Sequence, residues 1–170
     1  YTVELKPGFD TPAEEVEVIT DGLVLVHSTG VYNISNANGL AYASQNLFAQ
    51  EGGSYVLTED IDMAGASSVV TKAAEGYTWN SAALTHKMTT GSSFEFDGAG
   101  HTIKNLPGMF IAYTGSAKSV VVKNLTLETP NVAYDVDDVH EDNGVGAFIG
   151  YAGTSTTITL DNCHVKGGKI

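Results

Sequence analysis

A 25-residue segment occurs twice in the chain without a gap, as residues 108–132 and again as 146–170. Gly108, Phe110, Ile111, Tyr113, Gly115 and Asn124 return 38 positions later as Gly146, Phe148, Ile149, Tyr151, Gly153 and Asn162. Most other positions keep their apolar or polar class. Self-similarity at a fixed spacing marks supersecondary units that cannot bury their apolar faces alone and therefore stack. No other feature of the sequence restricts the possible folds as strongly.

Inside the repeat lies a shorter pattern, apolar-x-apolar-x-Asn-apolar-x-apolar. It reads Val120-Val121-Val122-Lys123-Asn124-Leu125-Thr126-Leu127 and Ile158-Thr159-Leu160-Asp161-Asn162-Cys163-His164-Val165, with a partial copy in Ile103-Lys104-Asn105-Leu106. The asparagines are separated by 19 and then 38 residues, which implies an elementary period of 19 with two periods in each larger unit. Before each Asn the apolar residues hold even positions, and after it odd ones. In a flat strand that slip would turn the second arm to the opposite face. If the Asn occupies a corner in the left-handed region, which Asn tolerates better than most residues, both arms face one interior. Stacked parallel strands then follow, with Asn105, Asn124 and Asn162 expected to form one hydrogen-bonded ladder.

The remaining chain fits a solenoid of this kind. Phe94 to Ile103 alternates, turns at Gly98 and Gly100, and enters the Asn105 corner. Tyr55 to Met63 reads as an initial coil with Asp60 in the corner place, and 64–93 as an insertion that carries the only tryptophan, Trp79. Leu40, Ala43, Leu47 and Phe48 recur at helical spacing behind Ser35 or Asn36 as N-cap, with Gly52-Gly53 as the stop, so 36–50 is expected to be a helix. A first coil would otherwise expose its cross-section and strand edges, so this helix is assigned as its cap. Asp21-Gly22 between two alternating apolar runs predicts a hairpin. Residues 1–30 are expected to be a short β appendage or the tail of a preceding module, and 31–170 the capped solenoid. At Ile170 the coil pattern is intact and no closing element follows, so further chain, another copy or a partner is expected to cover the last coil.

Composition narrows the class. A chain of 170 residues suits one domain, and 19 glycines against four prolines favour short strands and tight turns. The eight basic residues are all lysines, so there is no arginine, and the net charge is −12. Phosphate backbones are repelled and no bidentate guanidinium contact exists, which argues against nucleic acid and acidic lipid as partners. No apolar run reaches the roughly 18 residues that a spanning helix needs. One cysteine permits no internal disulfide. The chain starts at Tyr1 without leader features, and its acidic, Cys-poor composition suits an exported protein whose signal has been removed or is left out of this sequence.

Several motifs together resemble those of surface proteins with GLUG-type repeats from Bacteroides-like bacteria. They are Tyr32-x-Ile34-x-Asn36-x-x-Gly39-Leu40-x-x-Ala43, Leu57-Thr58-x-Asp60-Ile61-Asp62-Met63, Phe96 to Leu106, and Gly146-Ala-Phe-Ile-Gly-Tyr151. The resemblance covers residues 31–170 and implies the pectate-lyase-like right-handed β-helix class. The expected fold is therefore all-β: a right-handed parallel β-helix of about five coils with an N-terminal capping helix and a short hairpin. It also implies an extracellular or cell-surface location and a role in adhesion, with a glycan or a protein as partner.

Catalysis is not expected, and no residue is assigned a catalytic role. The lyases of this class use an arginine as base, and the chain has none. Hydrolases need converging carboxylates, for which the candidate is the run Asp135, Asp137, Asp138, Glu141 and Asp142. The same oxygens could bind calcium, although Val139, His140 and Gly146 stand where an EF-hand needs an oxygen ligand, a glycine and a glutamate. A solvated acidic loop is the first reading of such a run. Tyr77 and Trp79 could form an aromatic platform for a sugar, against the commoner role of packing. His27, His86, His101, His140 and His164 lack metal spacing. Cys163 replaces Leu125 in the repeat and reads as an inward-facing small hydrophobe. Gly144-x-Gly146-x-x-x-Gly150 is a repeat turn, and Asn33 and Asn124 begin glycosylation sequons, the second incidental if Asn124 is a corner. The expected function is a non-catalytic structural or adhesive module, with a carbohydrate-binding or carbohydrate-active β-helix and a spacer domain as alternatives.

Overall fold

The computed structural model describes residues 15–64, 83–89, 91–132 and 144–169. In chain order the strands are β1 (Val16–Thr20), β2 (Leu23–Val26), β3 (Val31–Ile34), β4 (Gly53–Leu57), β5 (Ile61–Asp62), β6 (Ala83–Lys87) and β7 (Ser93–Asp97). They continue with β8 (Thr102–Lys104), β9 (Met109–Tyr113), β10 (Ser119–Lys123), β11 (Thr126–Glu128), β12 (Ile149–Tyr151), β13 (Thr157–Asp161) and β14 (His164–Lys166). Helix α1 (Ala37–Ala43) runs directly into a π-helical turn, Ser44–Phe48. The chain is mostly β, as expected from its composition.

Three sheets result. The first has the order β1-β2-β3-β4-β7-β10-β13, the second β14-β11-β8-β5 and the third β12-β9-β6. From β4 onward the chain visits the first, second and third sheets in turn, and every pairing from β3 on is parallel. Each round of the three sheets adds one rung. Asp97 pairs with Lys123, 26 residues on, and Lys123 with Asp161, 38 on, while Val56 pairs with Asp97 at 41. Among the rounds that visit all three sheets the shortest sets the interval at 26 in the first sheet, and the longer ones carry their excess between a second-sheet and a third-sheet strand. This corrects the expected period of 19. A rung holds three strands and three corners, so Asn105 and Asn124 lie at different corners.

The parity expectation holds at the Asn124 and Asn105 corners. Val120 and Val122 before Asn124, and Leu125 and Leu127 after it, are all fully buried in one core cluster. Asn105, Asn124 and Asn162 have φ of 54°, 51° and 50°, the left-handed backbone that lets both arms turn inward. Ile103 and Leu106 flank Asn105 at the same offsets as Val122 and Leu125 flank Asn124, and all four are fully buried. Corners of two kinds therefore carry one local signature, which is why the sequence suggested a shorter period.

The N-terminal elements belong to the same structure. Residues 21–22 join β1 and β2 into the expected hairpin, but β2 also pairs with β3, Leu23 opposite Ile34, and both side chains are fully buried in the common core. Over residues 15–30 the appendage reading is therefore corrected: the hairpin extends the first sheet, because Leu23 needs that core. Asn36, not Ser35, caps α1, its side chain accepting from the Gly39 N–H at 2.9 Å. Gly39 is required, since a Cβ there would lie 2.0 Å from the Gly22 carbonyl oxygen. Leu40, Ala43 and Phe48 are fully buried. Between β3 and β4 the helix takes the place that second- and third-sheet strands occupy in later rungs. Among the described residues no helix is long and apolar enough to cross a membrane.

Candidate functional site

Two corner columns carry the most ordered polar chemistry of the described chain. In the first, Asp97 Oδ1 accepts from the Ala99 N–H at 2.8 Å and from Asn124 Nδ2 at 3.1 Å. Asn124 Oδ1 in turn accepts from Asn162 Nδ2 at 3.0 Å, and Asn162 Oδ1 lies 3.1 Å from His164 Nε2. In the second, Asp62 Oδ1 accepts from the Ala64 N–H at 2.9 Å and from Asn105 Nδ2 at 2.8 Å, and the Thr129 hydroxyl donates to Asn105 Oδ1 at 2.8 Å. Thr129, a β-branched residue at φ 50°, holds a strained left-handed corner there. Both columns begin alike, with an aspartate whose carboxylate closes a turn onto residue i+2 and then receives an amide from the next rung.

The expected single ladder is therefore corrected. Asn124 and Asn162 are bonded to one another, whereas Asn105 belongs to the other column, because it follows a second-sheet strand and they follow first-sheet strands. Asp62, Asp97 and Thr129 are the members that sequence reading missed. The aspartates had a usable signal in the shared Asp-x-Ala of Asp62-Met-Ala64 and Asp97-Gly-Ala99. Asp60, expected in the corner place of the asparagines, instead precedes Ile61 level with Thr102 and without a left-handed backbone; it accepts from the Thr102 N–H at 2.9 Å and lies 3.3 Å from His101 Nδ1.

The electrostatics follow from these contacts. The Thr102 N–H, helped by His101, holds the Asp60 carboxyl below its ordinary range, and the Asn105 amide and Ala64 N–H do the same for Asp62. Burial pushes Asp97 upward, but the Ala99 N–H, the Asn124 amide and Lys123 outweigh it and leave the group lowered. On the outer face of the first sheet, Lys123 Nζ reaches Glu95 at 2.6 Å and Asp97 at 3.5 Å, and Glu95 above all raises the lysine. Carboxyls lowered in the fold stabilise it fully above their unfolded values near 4, and that contribution is lost as pH falls through the folded ones. Urea denaturation is thus expected to give a flat stability from pH 7 to about 5 and a fall below about 4. Asp97→Asn should be less stable than the parent at pH 7 and show a smaller drop between pH 7 and pH 3. An unchanged drop would contradict the role given to Asp97.

Tyr77, Trp79, Asp135, Asp137, Asp138, Glu141 and Asp142 lie outside the described residues, and so does the calcium reading that rests on the acidic run. Among the described residues no group of three or more His, Cys, Asp or Glu side chains could hold a metal ion. Cys163 is half-buried with its Sγ 3.3 Å from the Val122 carbonyl oxygen, and burial pushes its thiol up, which fits a packed side chain rather than a nucleophile.

What the fold and these columns define is a class of architecture: mostly β, with parallel sheets whose rungs are tied at their corners by aligned polar side chains. No protein-family model, no curated protein and no solved structure matches the chain.

Proposed function

We propose that the chain is a right-handed parallel β-helix of about five coils that acts as a non-catalytic structural or adhesive module of an exported, cell-surface protein. The observation that carries this reading is the stacking of equivalent positions in register through the parallel pairs of three sheets, with corner polar groups bonded between rungs. Aspartate and asparagine side chains at the corners hold the scaffold and are thereby occupied. The adhesive part rests on the resemblance to GLUG-type repeat proteins. A net charge of −12 favours glycan or protein partners over nucleic acid. Purified chain should bind saturably on a glycan array or to immobilised cell-surface proteins. No binding on either would overturn the adhesive role and leave a spacer.

One observation favours a carbohydrate-binding or carbohydrate-active reading as the second. The two connections that exceed the shortest rung both run from the second sheet to the third, one containing Tyr77 and Trp79 and the other the acidic run 135–142. Glycan binding lost in Trp79→Ala would support it. Turnover of an acidic polysaccharide that survives Asp137→Ala with Asp138→Ala would remove the acidic run as its site.

A further inference from the structure

The outer face of the first sheet changes character along its length. Leu23, Ile34, Tyr55 and Leu57 are buried in the core, so the positions that alternate with them on β2, β3 and β4 face outward. Register aligns these with β1 in two outward rows, Val16-Val26-Val31-Ser54 and Val18-Val24-Asn33-Val56. Six of these eight residues are valine. Val16 and Val18 are 50% and 70% exposed, and Val24, Val31 and Val56 are half-buried. Over β7, β10 and β13 the same face continues as Glu95, Asp97, Val121, Lys123, Thr159 and Asp161, an ordinary polar surface. A contiguous apolar area on an otherwise polar face marks a place of contact.

Residues 1–14 lie outside the described residues and join this face directly, through Glu15 to Val16. Their first six, Tyr1-Thr2-Val3-Glu4-Leu5-Lys6, alternate apolar and polar, the pattern of a segment with one side to bury. Pro7-Gly8 follows as a turn signal. Eight residues, 7–14, reach about 26–29 Å when extended, whereas β1 to β4 measures about 15 Å across, so the connection allows a return over any of the four strands. We propose that residues 1–6 lie across the outer face of β1–β4, with Tyr1, Val3 and Leu5 on the valines and Thr2, Glu4 and Lys6 toward water. Side chains hold two such layers about 10 Å apart, which leaves the backbone of the segment open to water. A second copy is the poorer occupant, because at a net charge of −12 two chains repel each other. A tethered segment instead acts at an effective concentration on the order of millimolar. The inference stands independently of the adhesive reading.

Methyl NOE spectra of the 170-residue chain test it. Val3 and Leu5 should show cross-peaks to the methyls of Val18, Val24 and Val56, and Val18→Asp should abolish them. A half-filtered spectrum of an equal mixture of isotope-labelled and unlabelled chains should lack these peaks, because the contact lies within one chain. Leu5→Asp and Val18→Asp should each lower the thermal midpoint by about 2–4 °C. The double variant should fall no further than the lower of the two, since both break one contact. Absence of the cross-peaks in the parent would overturn the proposal. So would their appearance in the half-filtered spectrum, which would put a second copy on the face, or additive falls in the double variant.

Discussion

Phe48→Ala is expected to lower the free energy of unfolding by about 3–5 kcal/mol, the range for deleting a buried aromatic ring from a packed core. Phe48 is fully buried at the end of the π-helical turn, with its ring centroid 4.5 Å from Tyr55, 5.1 Å from Phe94 and 5.9 Å from Phe96, in edge-to-face arrangements. It therefore joins the helix to β4 and β7, the first two rungs beyond it. Removing the ring takes away its transfer free energy and the edge-to-face contacts, and leaves a cavity that three aromatic neighbours cannot fill. Phe48→Leu keeps much of the volume and should cost clearly less. Urea denaturation of the two variants checks this. Equal losses would mean that the position requires an aromatic ring, and a loss under about 1 kcal/mol in the alanine variant would mean that the helix is not integral to the core.

Asn124→Ala is expected to cost about 2–5 kcal/mol, by two separable routes. At φ 51° an alanine bears the left-handed penalty of about 1–2 kcal/mol, which Asn largely escapes. The side chain also links Asp97 below to Asn162 above, and each such bond contributes about 0.5–1.5 kcal/mol. Asn124→Gly removes the bonds without the backbone penalty, so it should be the more stable of the two variants. The reverse order would refute the corner assignment. Equal stability of the glycine variant and the parent would show that the column aligns the rungs without stabilising them.

Much of the architecture was legible in the chain. The shift in apolar parity across Asn124 and across Asn162 sufficed to place a left-handed corner there, because only a turn keeps Val122 and Leu125, or Leu160 and Cys163, toward one interior. The helix behind Asn36 and the hairpin at Asp21-Gly22 were legible too, since capping and turn chemistry are local. The attachment of the hairpin was not: Leu23 reads as an ordinary strand residue, and its burial opposite Ile34 is a contact across sequence. The strong polar members of the columns were half visible. Asn stands out in a strand pattern, whereas Asp62 and Asp97 look like surface carboxylates until the next rung brings Asn105 and Asn124 to them.

The sequence by itself determined where the chain bends inward, which side of each strand is apolar and that successive units stack. Those properties depend on side-chain parity and on the few residues that accept a left-handed backbone, and both are written within about ten positions. Tertiary structure alone decided that a rung has three strands, that Asn105 and Asn124 stand at different corners, and which aspartate meets which asparagine. The reason is that every inward corner obeys the same local rule, so corners of different kinds look alike along the chain. Only the parallel register between rungs, 26 or 38 residues apart in the first sheet and 24 or 42 in the second, assigns each to its column.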